Sequence, residues 1–282
     1  MSWTIEEKEF VILNYTTMGA TQCAKKLNRV PNTVTCLARR LGIKRIHEHL
    51  VHNIDDFLTI TRPEIAYFLG FMWADGTSNC NTLSCEFLST DAIELIPLFQ
   101  TIADCWITNR KREGRSEQTT VRIVDKRLMG FLKKTDFLQK SGGSPNKLLS
   151  TIPVELHPFW FRGLWDGDGN WYHNEKSIIA TLAGCYEQNW DFAETLLGKL
   201  NVKYQIRRDI RPNGKSSVIR TWGLDGPRKL AEFMYSSLQE IGLSRKKVNA
   251  IHIINRKRKP RAVLLERDSL GKFMPRSKVG DV

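Results

Sequence analysis

The chain has 282 residues, and its 43 lysines and arginines outnumber its 30 aspartates and glutamates, which gives a formal net charge of +13. Hydrophobic residues make up 41% of the chain, enough for a sizeable core, so the composition excludes overall disorder. No apolar run approaches the ~18 residues that a membrane span needs, and the first residues lack the apolar stretch of a signal peptide. We therefore expect a cytoplasmic protein of bacterial or phage origin, without a membrane partner, whose positive charge favours a nucleic-acid partner.

Residues 1–46 have the pattern of a small module of three helices. Thr4 followed by Glu7 is typical of a helix start, and a short break around Gly19 separates the first helix from the second. Pro31 then opens the third helix. The sequence therefore predicts a compact helical domain at the beginning of the chain.

The third helix of this module carries Arg39 and Arg40 away from its apolar side. Basic residues outnumber acidic ones by eight to four in the first 50 positions, which favours DNA as the partner of this helix. The module opens with W-T-x-x-E and closes with R-x-L-G-I-K, and in both it resembles the Myb/SANT-like and GcrA-like helix-turn-helix domains. The alternative is an ordinary three-helix cap on a larger domain.

Two segments have no regular period. Residues 47–62 predict a linker between the helical module and the rest of the chain. Residues 256–282 begin with four consecutive basic residues and predict a basic tail that contacts phosphates without sequence preference or is disordered.

An internal repeat determines the expected fold. Residues 66–76 recur as residues 158–169, and the second copy places Asp168 where the first copy has Asp75, 93 positions earlier. Each copy is followed by a hairpin, a helix, a second hairpin and a second helix. We therefore predict an α+β protein with two αββαββα repeats, over residues 63–150 and 151–255.

The first helix of each repeat has small residues four positions apart, namely Gly70 with Ala74 and Gly163 with Gly167. Small residues on one face allow two helices to approach closely, because no side chain holds their backbones apart. The helix ends, with Asp75 and Asp168, would then lie side by side, and the following glycines would end them in left-handed or otherwise permissive backbone. Two carboxylates at the negative ends of helices repel each other, so we expect a divalent cation there, most naturally Mg²⁺.

These two segments resemble the nine-residue LAGLIDADG motif of homing endonucleases, in the form with two motifs in one chain. The segments are residues 68–76 and 161–169, and the first has Trp73 where the second has Asp166. We expect this difference to affect helix packing, because the position is not a metal ligand in the family.

The resemblance implies a monomeric double-strand DNA endonuclease with saddle-shaped sheets over a long, imperfectly palindromic target. It implies Mg²⁺ or Mn²⁺ held by Asp75 and Asp168, with the backbone carbonyls of Ala74 and Gly167 as further ligands. The family also uses a basic residue after the final helix of each repeat. Here the candidates are Lys140 in the first repeat and Lys246 or Lys247 in the second.

The predicted sheets offer a basic face for DNA. Residues 203–211 alternate, so that one face carries the polar residues Lys203, Gln205, Arg207, Asp209 and Arg211, while Tyr204, Ile206, Arg208 and Ile210 turn toward the core. Arginine, lysine and glutamine can read base edges in a major groove. In the first repeat, the corresponding hairpin is flanked by Arg110, Arg112 and Arg122.

Two other functions remain open for the same residues. A LAGLIDADG scaffold with a helix-turn-helix domain can act as a non-cleaving transcription regulator, as in the WhiA-like proteins. The same fold also supports intron RNA maturases. Cleavage of plasmid DNA with Mg²⁺ or with EDTA would separate the endonuclease from the regulator, and binding of intron RNA would identify a maturase.

Overall fold

The structure is a computed structural model that describes residues 2–44, 50–111, 113–114, 116–212, 214–236 and 239–257. The chain divides into two compact units, residues 1–168 with 240–243, and residues 169–239 with 244–282. The predicted DNA contact Arg112 lies outside the described residues, as do the side chain of Arg211 and the tail from residue 258. Among the described residues, no helix is long and apolar enough to cross a membrane.

The N-terminal module consists of α1 (Ile5–Leu27) and α2 (Pro31–Arg40). The Thr4 hydroxyl accepts a hydrogen bond from the Glu7 N–H, and the Glu7 carboxylate accepts one from the Thr4 N–H, so the predicted helix start is present. Gly19 has φ 73° and ψ 174°, which is not helical, and α1 is therefore two helical segments in succession. The three segments expected from the sequence share an apolar core whose fully buried members include Val11, Cys23 and Val34.

The first repeat contains one antiparallel sheet with helices on it, and its strands lie in the order β1-β2-β4-β3. Its elements are α3 (Asp55–Leu58), α4 (Pro63–Asp75), β1 (Gly76–Asn79), β2 (Thr82–Leu88), α5 (Ala92–Gln100), β3 (Trp106–Arg110), β4 (Gln118–Val124), α6 (Lys126–Lys134) and α7 (Asn146–Leu149).

The second repeat has the same plan, with strand order β5-β6-β8-β7. Its elements are α8 (His157–Asp168), β5 (Gly169–His173), β6 (Ile178–Cys185), α9 (Asp191–Lys199), β7 (Gln205–Arg211), β8 (Gly214–Trp222), α10 (Asp225–Tyr235) and α11 (Ser244–Asn255). The predicted α+β fold with two αββαββα repeats is confirmed. The first helix of this repeat, α8, belongs to the first compact unit, so the unit boundary falls after Asp168.

Each motif helix passes directly into the first strand of its sheet. Gly76 follows α4 in extended backbone, with φ −71° and ψ 144°, and not in the left-handed conformation. Glycine is needed here for space, because a Cβ on Gly76 would lie 2.3 Å from the carbonyl oxygen of Met72. The geometry of the helix end is therefore fixed by close packing and not by a positive φ.

Residues 50–60, which the sequence assigns to a linker, pack against the first repeat. Val51 forms an antiparallel bridge with Ala103. The ring of Phe57, which is buried, lies 6.1 Å from that of Phe68 and 5.9 Å from that of Phe131. Burial of aliphatic and aromatic side chains gives this segment a fixed place without a regular sequence period.

Asp125 attaches this segment to α6. Its carboxylate accepts hydrogen bonds from the N–H groups of Val51 (3.2 Å) and Arg127 (2.7 Å), and from the Arg127 guanidinium (2.8 Å). Burial alone would raise the pKa of Asp125, but the hydrogen bonds from Arg127, Val51 and Leu128 outweigh burial, and the pKa is lowered.

We expect Asp125→Ala to lower the free energy of unfolding by about 1–3 kcal/mol near neutral pH, because buried N–H groups lose their acceptor. The pKa is lower in the folded protein, so the stabilisation is present above the unfolded pKa of about 4 and is lost as the pH falls through the folded pKa. Urea unfolding near neutral pH and in acid measures this. The exposed Asp104→Ala is the control, and a difference between wild type and Asp125→Ala that does not shrink in acid would contradict the prediction.

Candidate functional site

Helices α4 and α8 touch through their backbones. A Cβ on Gly70 would lie 1.9 Å from the carbonyl oxygen of Trp160, and a Cβ on Gly163 would lie 2.1 Å from the carbonyl oxygen of Tyr67. No Cβ can come this close to a backbone oxygen, so only glycine fits at these two positions. The close approach expected from the small residues is present.

The C-terminal turns of the same two helices also lie side by side. A Cβ on Gly167 would be 2.4 Å from the Cβ of Ala74 and 3.0 Å from Oδ2 of Asp75. Asp168 follows Gly167 and is the last residue of α8. Asp75 and Asp168 are both partly exposed, so the last residues of both helices are within reach of solvent.

Lys140 brings a positive charge to this end of the helix pair. It follows a 3₁₀ turn at Phe137–Gln139, and its ammonium donates hydrogen bonds of 2.7 Å to the carbonyl oxygens of Trp73 and Ala74. Burial lowers the pKa of Lys140, and the negative charges of Asp168 and Asp75 oppose that shift without cancelling it. The predicted lysine of the first repeat therefore interacts electrostatically with both predicted metal ligands.

The donor set at the helix ends suits a hard divalent cation. Oxygen atoms are available from the carboxylates of Asp75 and Asp168 and from the last carbonyls of the two helices, and Mg²⁺ prefers oxygen ligands. The Ala74 carbonyl already accepts a hydrogen bond from Lys140, but a carbonyl oxygen has a second lone pair. The described residues hold no group of three or more His, Cys, Asp or Glu side chains that could bind a metal, so water or phosphate oxygens would complete the shell.

A buried thiol lies beneath the site. Cys85 is paired with Gly76 across the β1–β2 hairpin and is almost fully buried. Burial raises the pKa of the Cys85 thiol well above its usual value, and the charge of Asp75 raises it further. A buried, uncharged thiol therefore lies near the Asp75 carboxylate, and no motif in the sequence indicates it.

The lysine of the second repeat, Lys246, lies on α11. Its ammonium donates a hydrogen bond to the carbonyl of Gly169, the residue that follows Asp168. Further along α11, Nε2 of His173 is 3.2 Å from Oδ1 of Asn249, and the His173 ring stacks on His252 with 4.3 Å between the centroids. Helix α11 therefore contacts both the first and the last residue of β5.

The two motifs differ at Trp73 and Asp166, and each of these side chains contacts the segment that follows the last helix of its repeat. Trp73 packs edge-on against Phe137, with 5.9 Å between the ring centroids. Asp166 is buried and accepts hydrogen bonds from the Tyr67 hydroxyl (2.7 Å) and the Leu243 N–H (2.8 Å). The difference therefore concerns packing, as expected. Trp73 makes its contact through an aromatic ring, and Asp166 makes its contacts through hydrogen bonds.

The strand register brings out an arginine that the sequence pattern does not identify. In the first sheet, Arg122 pairs with Ser84 on β2 and with Trp106 on β3. Arg220 occupies the corresponding place in the second sheet, where it pairs with Thr181 and Gln205. Both arginines are partly exposed, and Arg220 donates two hydrogen bonds (3.0 and 2.6 Å) to Oε1 of Gln205.

The predicted alternation along β7 holds only in part. Gln205 and Arg207 are exposed, and Ile206 pairs with the buried Ile219 as expected. Ile210, however, is 67% exposed, and Lys203 precedes the strand. Ile210 pairs with Lys215, next to the last pair of the β7–β8 hairpin, so this end of the strand lies outside the core.

The remaining predicted DNA contacts are at the surface. Arg39 and Arg40 are exposed at the end of α2, and Arg110 is exposed at the end of β3. Each of these arginines is available to a partner. Nothing in their local structure ties them to the helix pair of α4 and α8.

Comparisons with known proteins give distant structural likenesses. No protein-family model matches the chain, and no curated protein matches it. The homing endonuclease I-WcaI bound to its DNA recognition sequence is 16% identical, with a TM-score of 0.46, over 70% of this chain and 91% of that one. The I-LtrWI LAGLIDADG homing endonuclease bound to target DNA is 12% identical, with a TM-score of 0.45, over 72% and 89%. Full-length DUF199/WhiA from Thermatoga maritima is 13% identical, with a TM-score of 0.41, over 71% and 64%.

Proposed function

We propose that this chain is a site-specific, divalent-metal-dependent DNA endonuclease of the LAGLIDADG homing type, acting as a monomer. The observation that carries the proposal is the backbone contact of α4 and α8, which sets Asp75 beside the last turn of α8. A protein that only binds DNA has no need to hold two carboxylates together at the negative ends of two helices. Hydrolysis of a phosphodiester bond with a metal ion does need them.

The residues fit Mg²⁺ or Mn²⁺, with Asp75 and Asp168 as the charged ligands and the carbonyls of Ala74 and Gly167 as neutral ones. When bound, such an ion supplies a Lewis acid for the phosphoryl oxygen and lowers the pKa of a bound water. Lys140, fixed by two carbonyl oxygens, places positive charge where negative charge develops on the phosphate. Lys246 has the corresponding role in the second repeat.

The DNA target would be long, double-stranded and imperfectly palindromic. Each sheet would read one half of it through Arg122 and Arg110 in the first repeat and Gln205, Arg207 and Arg220 in the second. The exposed Arg39 and Arg40 of the N-terminal module would add phosphate or base contacts outside those halves. The formal net charge of +13 supports binding to a polyanion.

Selection from a randomised double-stranded library tests this function. The full-length protein is incubated with the library in Mg²⁺, in Mn²⁺ and in EDTA, and the ends of cleaved molecules are sequenced. We expect one family of related sites, cut on both strands only when metal is present. Specific DNA binding without cleavage in either metal would favour a transcription regulator, and a preference for structured intron RNA would favour a maturase; both would refute the proposal.

Arg122 and Arg220 are expected to specify bases in the two halves of the target. Arg122→Ala and Arg220→Ala should each relax the preference at one base pair, in opposite halves, by about 1–3 kcal/mol, because a bidentate contact with guanine is lost. Competition binding with single-base variants of the selected site measures this. Lys133→Ala, an exposed cation on α6, is the control, and loss of affinity without any change in base preference would contradict the prediction.

A further inference from the structure

Trp222 lines two cavities in the second unit. Trp222 is the last residue of β8, and it is 50% exposed. It lines a cavity of about 650 Å³ on one side and a cavity of about 590 Å³ on the other. Each is large enough for a nucleotide-sized ligand.

The first cavity has four cations and one carboxylate among the eleven residues that line it. The guanidinium carbon of Arg220 lies 6.0 Å from the centre of the Trp222 ring, and the Arg256 guanidinium is fixed by hydrogen bonds to the carbonyls of Asn174 and Glu175. Glu175 is the carboxylate among the lining residues. The cations around this cavity are Lys176, Arg220, Arg256 and Lys257.

The second cavity has three cations and two carboxylates among its eleven lining residues. Lys203, which the strand geometry leaves outside β7, lines it together with Arg228 and Lys229. The ammonium of Lys229 donates hydrogen bonds to the carbonyl oxygens of Leu200 and Asn201, which holds it at the rim. The carboxylates here are Asp225 and Glu232, so the two cavities together present seven cations and three acidic groups.

The fold does not require a tryptophan at this place. Trp222 pairs with Ile179 across the second sheet, and the corresponding residue of the first sheet is Val124, which pairs with Thr82. An indole that is half exposed also gives up much of the free energy that its burial would yield. A half-exposed indole beside two cavities with cations among their lining residues favours a binding role.

We propose that Trp222 and the two cavities beside it bind unpaired nucleotides of a single-stranded nucleic acid, with a base stacked on the exposed part of the indole. The cations around the cavities would face the phosphates of the strand. Exposed aromatic rings in a basic groove are the recurring means of holding single strands. The proposal goes beyond DNA cleavage and does not depend on it.

The bases of duplex DNA cannot stack on the Trp222 indole. In a duplex the faces of the bases are stacked on each other, and only their edges are presented in the grooves. The indole offers its face, which only an unstacked base can use. A ligand bound only through its phosphates would contact the cations, and its affinity would not depend on the aromatic ring.

The test compares Trp222→Leu with Trp222→Phe in the full-length protein. Fluorescence anisotropy measures the affinity for labelled oligo-dT and oligo-rU of about 12 nucleotides. We expect Trp222→Leu to weaken binding by about 5- to 100-fold, and Trp222→Phe to stay within about threefold of wild type, because phenylalanine also stacks. The ratio of the affinities for oligo-dT and oligo-rU then identifies the kind of strand.

Two controls separate stacking from charge and from damage to the fold. Trp106→Leu alters a tryptophan of the first repeat that is 39% exposed and lines neither cavity, and it should leave single-strand binding unchanged. A 2-aminopurine base within the strand should change its fluorescence on binding wild type and Trp222→Phe, but not Trp222→Leu. Equal weakening by Trp222→Phe and Trp222→Leu, unchanged binding by Trp222→Leu, or binding of a duplex alone would each overturn the proposal.

Discussion

Replacing Gly163 by alanine is expected to lower the free energy of unfolding by about 3 kcal/mol or more, although the change adds a single methyl group. The new Cβ would lie 2.1 Å from the carbonyl oxygen of Tyr67 and 2.8 Å from the backbone nitrogen of Phe71. Neither atom can move without its helix, so α4 and α8 would have to separate. Their separation would open a contact in which the facing side chains are almost all buried.

Alanine at an unconstrained helix position should have the opposite effect. Gly130 in α6 and Gly198 in α9 have no atom within 4 Å of an added Cβ, apart from the helix itself and chain neighbours. Gly130→Ala and Gly198→Ala should therefore stabilise the protein by about 0.5–1 kcal/mol through helix propensity. Thermal and urea unfolding of the four variants, with Gly70→Ala as the second clash, measures this. If Gly163→Ala were as stable as Gly130→Ala, the backbone contact would be wrong.

The repeat in the sequence is sufficient to predict the fold because its two copies, 93 positions apart, are followed by the same order of elements. One copy of the motif helix is compatible with any buried helix, but two copies that each precede the same order of hairpins and helices define the topology. The resemblance to the LAGLIDADG family, which uses a basic residue after the last helix of each repeat, identifies Lys140 as a candidate. Its contact with the Trp73 and Ala74 carbonyls could not be predicted, because it depends on a 3₁₀ turn without a sequence signature.

What the sequence missed depends on pairing between strands. Alternation along one strand separates its two faces but does not show how far along the strand the core extends, as the exposed Ile210 near the end of the β7–β8 hairpin illustrates. The equivalence of Arg122 and Arg220 requires the register of three strands in each sheet. The residues of 50–60 pack through scattered apolar side chains such as Phe57, and no period marks them.

Asp75→Asn and Asp168→Asn are each expected to abolish double-strand cleavage, with a loss of at least about 100-fold in rate, because an amide lacks the charge that holds a divalent cation. Affinity for the target, measured in Ca²⁺-free and Mg²⁺-free buffer, should stay close to wild type. Asp104→Asn, at an exposed carboxylate away from the helix ends, should cleave normally. Full cleavage by either variant at the helix ends would exclude the proposed metal site.

Stability distinguishes a lost ligand from a damaged fold. Each aspartate lies at the negative end of its helix, which disfavours its charge, whereas the nearby Lys140 favours it, so removing one charge should change the free energy of unfolding without metal by no more than about 1 kcal/mol. Added Mg²⁺ should stabilise wild type, since a ligand that binds only the folded state shifts the unfolding equilibrium, and it should stabilise neither variant. A variant that unfolds like wild type without metal, is insensitive to Mg²⁺ and cannot cleave would have lost its function through its charge alone. The carboxylates of Asp75 and Asp168 would then serve metal binding and not the stability of the fold.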